Sequence, residues 1–155
     1  MKDAALFERI GGDALRTVIT DFYARIVRDV MIGYMFADIV RTRGRAHLVE
    51  REWELVAALL GAPGVTYAGR PMRAAHARHP IFGGHFERRM QVLRETLADH
   101  HVDAEVQRVW LEHSLSLRSQ LTGDRGSECK DTGEGGREVT PPPPSTGPIK
   151  LGRRG

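Results

Sequence analysis

His76 is the side chain in this 155-residue sequence best placed to present a single imidazole nitrogen. It closes the stretch Arg70-Pro71-Met72-Arg73-Ala74-Ala75-His76, with Tyr67-Ala68-Gly69 before it and Pro80-Ile81-Phe82-Gly83-Gly84 after it. Pro71 falls where a first helical turn tolerates proline, so the stretch reads as a short, stiffened helical turn. Longer amphipathic segments flank it on both sides. A neutral imidazole held this way can take a metal at the centre of a flat ligand from one side.

Haem is the ligand that fits this chemistry. It needs an apolar slot, an imidazole on iron, and polar groups opposite that act on whatever the iron binds. His76 is therefore the candidate iron ligand. Tyr23 follows Phe22 on an apolar stripe, and its hydroxyl is a candidate donor to a ligand on the iron. Phe36 could pack on a porphyrin. His47 opens a later helical segment and is a candidate gate or propionate contact. His79 stands three residues after His76 and is expected near the same face, while His100 and His101 read as a solvated helix end. The seven histidines also raise a zinc site, but no pair shows the metalloprotease spacing and the single cysteine excludes a Cys pair. Gly11-Gly12 precedes a helix without the strand that a nucleotide-binding loop requires.

The elements that must position these residues read as helices throughout. Leu15, Val18, Ile19, Phe22, Ile26 and Val30 recur at spacings of three and four, placing them on one helical face. Gly11-Gly12-Asp13 offers a break and an N-cap before them. Residues 29–38 form a mixed apolar turn region. A third segment runs from Arg45 to Leu60 and stops at Gly61-Ala62-Pro63-Gly64. Its apolar positions Leu48, Val49, Trp53, Leu55, Val56, Leu59 and Leu60 make a wide stripe. After the His76 segment, Phe86, Met90, Leu93 and Leu97 share one face of a helix, and Asp103 caps a last one carrying Val106, Val109, Trp110, Leu117 and Leu121. No heptad is sustained, so an all-α fold with helices at large mutual angles around a pocket fits better than a regular bundle.

Composition sets the outer limits. Up to Leu121 apolar and charged residues alternate; from Gly123 onward the apolar residues are Cys129, Val139, Ile149 and Leu151, among glycines and the run Pro141-Pro142-Pro143-Pro144. Such a segment buries too little to offset the entropy of ordering. The reading is one folded domain over 1–121 and a disordered Gly/Pro-rich tail over 122–155. The formal net charge of +3 is mild, and the tail mixes both signs, which argues against a nucleic-acid partner. The N-terminus lacks a signal-peptide apolar run and no stretch reaches membrane-spanning length, so a cytoplasmic protein without a membrane partner is expected.

Together these segments resemble the truncated (two-over-two) haemoglobins, over about Leu6 to Leu121. Leu6-Phe7-Glu8-Arg9-Ile10-Gly11-Gly12 is similar to the family's opening, and Asp21-Phe22-Tyr23-Ala24-Arg25 to its Phe-Tyr helix, whose tyrosine is the distal donor. Phe36 stands where the family keeps an aromatic on haem. Leu59-Leu60-Gly61, followed by Tyr67 through His76, resembles its most specific motif, which ends in the proximal histidine. His85-Phe86-Glu87-Arg88 matches its next His-Phe pair. His47-Leu48 and Pro80 lean toward the third group. The resemblance implies a two-over-two helical sandwich binding haem b through His76, with Tyr23, Phe36, His47, Leu48, Met72 and Phe86 lining it. It implies dioxygen, nitric oxide or related diatomics as ligands, in binding, oxygen transport, sensing or detoxification, the last with a redox partner.

The sequence departs from the third-group pattern in two places. Arg89 stands where a tryptophan near the haem is usual, and Leu55 where another is expected, with Trp53 two residues away. Either register of the third segment brings a charged residue, Arg51 or Glu52, near the pocket. Arg89 in an apolar slot is costly unless it meets a propionate or a carboxylate. These charges motivate the alternative reading, a haemless globin-like helical module for interaction or sensing.

Overall fold

The computed structural model describes residues 4–67 and 80–122. Met72, His76 and His79 lie outside the described residues, as does the chain from residue 123 onward. By its internal contacts the chain divides into Met1–Arg125 and Gly126–Gly155, and every described residue belongs to the first.

Among the described residues all regular elements are helical. They are α1 (Ala4–Ile10), α2 (Gly12–Arg28), a 3-10 turn (Gly33–Phe36), α3 (Ala37–Arg43), α4 (Arg45–Leu59), α5 (Gly83–Asp99), α6 (Ala104–Ser116) and α7 (Arg118–Leu121). The arrangement is a two-over-two sandwich. α2 pairs with α4, α5 pairs with α6, and α2 also packs on α5, which joins the two layers. No described helix is long and apolar enough to cross a membrane.

α2 is central because its stripe is almost unbroken. Leu15, Val18, Ile19, Phe22 and Ile26 are all buried, as their three-and-four spacing predicts. Val30 is not on that stripe; it is 96% exposed. The helix ends at Arg28 and Asp29 turns extended, so the helical period stops before Val30. The Gly11-Gly12-Asp13 break supplies the start of the helix. The N-cap is Gly11, with φ 79 and no side-chain hydrogen bond, a backbone conformation that favours glycine. Asp103 does cap α6, accepting from the backbone N–H groups of Glu105 and Val106.

Three further placements settle the register of the site. Trp53 faces the α1–α2 corner: its indole N–H donates to the Gly12 carbonyl at 3.1 Å and Phe7 packs edge-on against it. That contact pins α4 and turns the neighbouring Glu52 inward. His100 is not simply solvated, since its Nε2 lies 2.8 Å from Asp21 Oδ2, whereas His101 is exposed at φ 51. The turn after α2 is tight because Gly33 lies against α2; a Cβ there would sit 2.7 Å from the Val27 carbonyl oxygen.

Asp29 holds that turn to α5. Its Oδ2 accepts from Arg88 Nε and lies 2.7 Å from Arg88 Nη2, while Oδ1 accepts from the backbone N–H groups of Met31 and Ile32. The Arg88 guanidinium, helped by those N–H groups, keeps the Asp29 carboxyl below its usual range. A lowered folded-state value means this contribution is complete above the unfolded carboxylate value, near ~3.9, and lost as pH falls through the folded one. Asp29→Ala is expected to lower stability at neutral pH by about 1–2 kcal/mol. Urea unfolding of both proteins across pH should show the difference shrinking in acid.

Candidate functional site

Two buried helical stripes each carry a charge. On α4, Leu48, Glu52 and Val56 are spaced by four residues and are all buried, so Glu52 shares the inward face. On α5, Phe86, Met90, Leu93 and Leu97 form the buried face, and Arg89 stands three residues after Phe86 and four before Leu93. The fold brings these two positions together beside Tyr23 of α2.

Tyr23, Glu52 and Arg89 form one polar cluster. The Tyr23 hydroxyl donates to Glu52 Oε2 at 3.3 Å. Arg89 Nη2 donates to Glu52 Oε1 at 3.3 Å and Oε2 at 3.4 Å. The Arg89 guanidinium also lies over the Phe22 ring, 5.1 Å from its centre. Tyr23 is edge-on to both Phe22 and Phe36, with ring centres 5.1 and 6.2 Å away. Thus α2 and α5 each bring a donor to one carboxylate on α4, and the 3-10 turn packs Phe36 on Tyr23.

Burial sets the protonation states. It pushes the Tyr23 hydroxyl well above the ordinary tyrosine range, and the Glu52 charge adds to this while Arg89 opposes it. Tyr23 is therefore a proton donor at neutral pH. Burial acts to lower Arg89, but the charges of Glu52 and Tyr23 and the hydrogen bonds to both together hold it above its ordinary value. The Glu52 carboxylate alone would cost several kcal/mol to bury, whereas Arg89 keeps part of its side chain exposed. Paired, with the cation over an aromatic face contributing about 1 kcal/mol more, they become tolerable in an apolar setting.

The structure also places several other residues read from the sequence. Phe36 is half-buried against Tyr23, Leu48 is buried beside Glu52's stripe, and Phe86 is 2% exposed. Phe86 and Met90 are buried apart from the main core cluster, and the Arg118 guanidinium lies over Phe86. His47 is half-buried in the first turn of α4. His85 is tied locally, its Nδ1 accepting from the Phe82 backbone N–H and its Nε2 lying 3.3 Å from the Tyr34 hydroxyl. Met72 and His76 lie outside the described residues, so no geometry attaches to them. Among the described residues no group of three or more His, Cys, Asp or Glu side chains could hold a metal ion.

The polar surroundings extend along α4. Arg51 Nη1 lies 3.1 Å from Glu54 Oε2, yet Arg51 Nε and that carboxylate oxygen are buried with no hydrogen-bond partner among the described residues. Burial, then the Glu52 charge, also raises the Tyr67 hydroxyl. The chemistry of these side chains suits a haem-like group: apolar Phe36, Leu48 and Phe86, a hydroxyl, and an ion pair neutral overall. Two surface clefts, lined by residues such as Arg9, Thr17 and His101 or Asp13, Arg16 and Thr20, contain none of these side chains.

The Glu52–Arg89 pair is what sequence reasoning missed. Its signal was present: one acidic and one basic residue, each inside an apolar stripe, on two different helices. Only their mutual distance was absent.

A family model described as bacterial-like globin matches residues 5–122. The chain is similar to a group 1 truncated haemoglobin of Mycolicibacterium paratuberculosis, 34% identical over 84 residues, covering 54% of this chain and 58% of the relative. It thus spans less than two thirds of that relative. A group 1 truncated haemoglobin of Synechocystis is 33% identical over 101 residues, covering 62% and 77% respectively. These relatives bear the group 1 name, not the third-group one toward which His47-Leu48 and Pro80 lean. The truncated haemoglobin of Tetrahymena pyriformis in its Fe(III) form superposes with a TM-score of 0.64 at 21% identity, covering 77% of this chain and 98% of that one. A variant of that protein gives 0.66 at 22%.

Removing the cation tests the pairing. Arg89→Leu leaves Glu52 buried without its counter-charge and should cost about 3 kcal/mol, while adding Glu52→Leu should recover most of it. Urea unfolding of the wild type, both single variants and the double variant measures this coupling. Losses that simply add would mean the two charges do not stabilise one another.

Proposed function

The chain belongs to the bacterial-like globin family, among its truncated haemoglobins, and from that premise we propose that it holds haem b with His76 on the iron. Phe36, Leu48, Met72 and Phe86 would supply the apolar walls. His47, at the start of α4, would stand at the mouth as a gate or propionate contact. Tyr23 is the hydroxyl closest in kind to what a diatomic ligand needs. The ligands are dioxygen, nitric oxide and related diatomics, and the role is reversible binding, sensing or redox detoxification with an electron donor.

The observation that carries this reading is the buried Tyr23–Glu52 pair with the half-buried Arg89 beside it, set among apolar side chains. A globin core without chemistry has no reason to keep an ion pair where Leu or Met would pack equally well. The haemless alternative rested on Arg89 and the charged third segment; in the structure Arg89 meets a carboxylate of that segment, Glu52, which supports the haem reading. On subgroup, His47-Leu48, Leu59-Leu60-Gly61 and Pro80 support a third-group reading beside the group 1 names of the curated relatives.

The test is haem uptake by the purified full chain. One equivalent should give a sharp Soret band, and His76→Ala should lose stoichiometric uptake or shift the band. A wild-type protein that takes up no stoichiometric haem would end the proposal.

A further inference from the structure

The Tyr23 hydroxyl has one proton to give, and in this fold it goes to Glu52. The ring has no freedom to send it elsewhere by moving. Tyr23 is 6% exposed and wedged edge-on between Phe22 and Phe36. Only rotation about the C–O bond can redirect the hydrogen, so Glu52 and a ligand in the pocket compete for it. Glu52 is fixed in turn, because both of its oxygens accept from Arg89, and Arg89 is seated on the Phe22 face.

We propose that Glu52 sets the ligand preference of this pocket by holding the Tyr23 proton, with Arg89 balancing its charge. This rests on the haem reading above and deepens it. A ligand that gains negative charge on binding, as dioxygen does, is held by a nearby donor. Here that donor is already bonded to an anion, and the anion itself lies close. A diatomic that stays neutral, such as carbon monoxide or nitric oxide, asks for no donor and loses nothing. The pocket therefore favours dioxygen over neutral diatomics less than the same tyrosine would without the carboxylate. Glu52 acts through Tyr23 and is a positioning residue.

The experiment uses the haem-loaded full chain, with dioxygen release measured by stopped flow and the C–O stretch of the carbon monoxide complex by infrared spectroscopy. In the wild-type background, Tyr23→Phe should change dioxygen release by less than about threefold and leave the C–O stretch in place, because the lost bond was to Glu52. In a Glu52→Leu/Arg89→Leu background the hydroxyl is free, and Tyr23→Phe should speed release by about tenfold or more and shift the stretch. Where that double variant does not fold, Glu52→Gln replaces it, with a Tyr23→Phe effect larger than in the wild type. A tenfold effect in the wild-type background overturns the proposal by itself, and so does a small effect in both backgrounds. Absence of stoichiometric haem uptake is a different failure, that of the haem reading, and the Soret band separates the two.

Discussion

A buried carboxylate paired with a half-buried guanidinium organises the polar interior of this protein. Glu52 and Arg89 come from α4 and α5, both of which pack on α2, and the buried Glu52 is costly there without its counter-charge. Their contact joins a helix of one layer to a helix of the other. Because Tyr23 also bonds to Glu52, the link fixes a hydroxyl on the third helix. Apolar residues of the right volume would have packed this space at equal or lower free energy. What the ion pair adds is a defined direction for polar groups within an apolar slot.

α2 makes that geometry reproducible. Its buried stripe packs on both layers, and Phe22 and Tyr23, adjacent on the helix, serve different partners: one ring seats the cation and the other points its hydroxyl at the anion. The segment leaving α2 is held just as firmly. Gly33 permits close approach to the helix end, and Asp29 ties the turn to Arg88, one residue before Arg89. Phe36 therefore arrives against Tyr23 by way of a turn anchored to the same helix that supplies the cation. Trp53 gives α4 its rotation by bonding at the opposite corner.

Local pattern made much of this legible. The stripes of α2 and α5, the stop after Leu59 and the Asp103 cap follow from side-chain periodicity and backbone chemistry, which act over a few residues. The failures were also local in origin. Val30 continued a period that the helix did not, and His100 looked solvated because its partner, Asp21, is far away in sequence.

The sequence alone determined the helical class, the order of the elements, the family resemblance and the presence of misplaced charges in apolar stripes. It could say that Arg89 needed a carboxylate. The tertiary structure decided that the carboxylate is Glu52, 37 residues away, and that Tyr23's proton belongs to the same cluster. The reason is that a helical period fixes which face a residue occupies, while partners across helices are chosen by how the layers cross and rotate. That choice is made by the whole set of packed side chains at once, and no short stretch of sequence contains it.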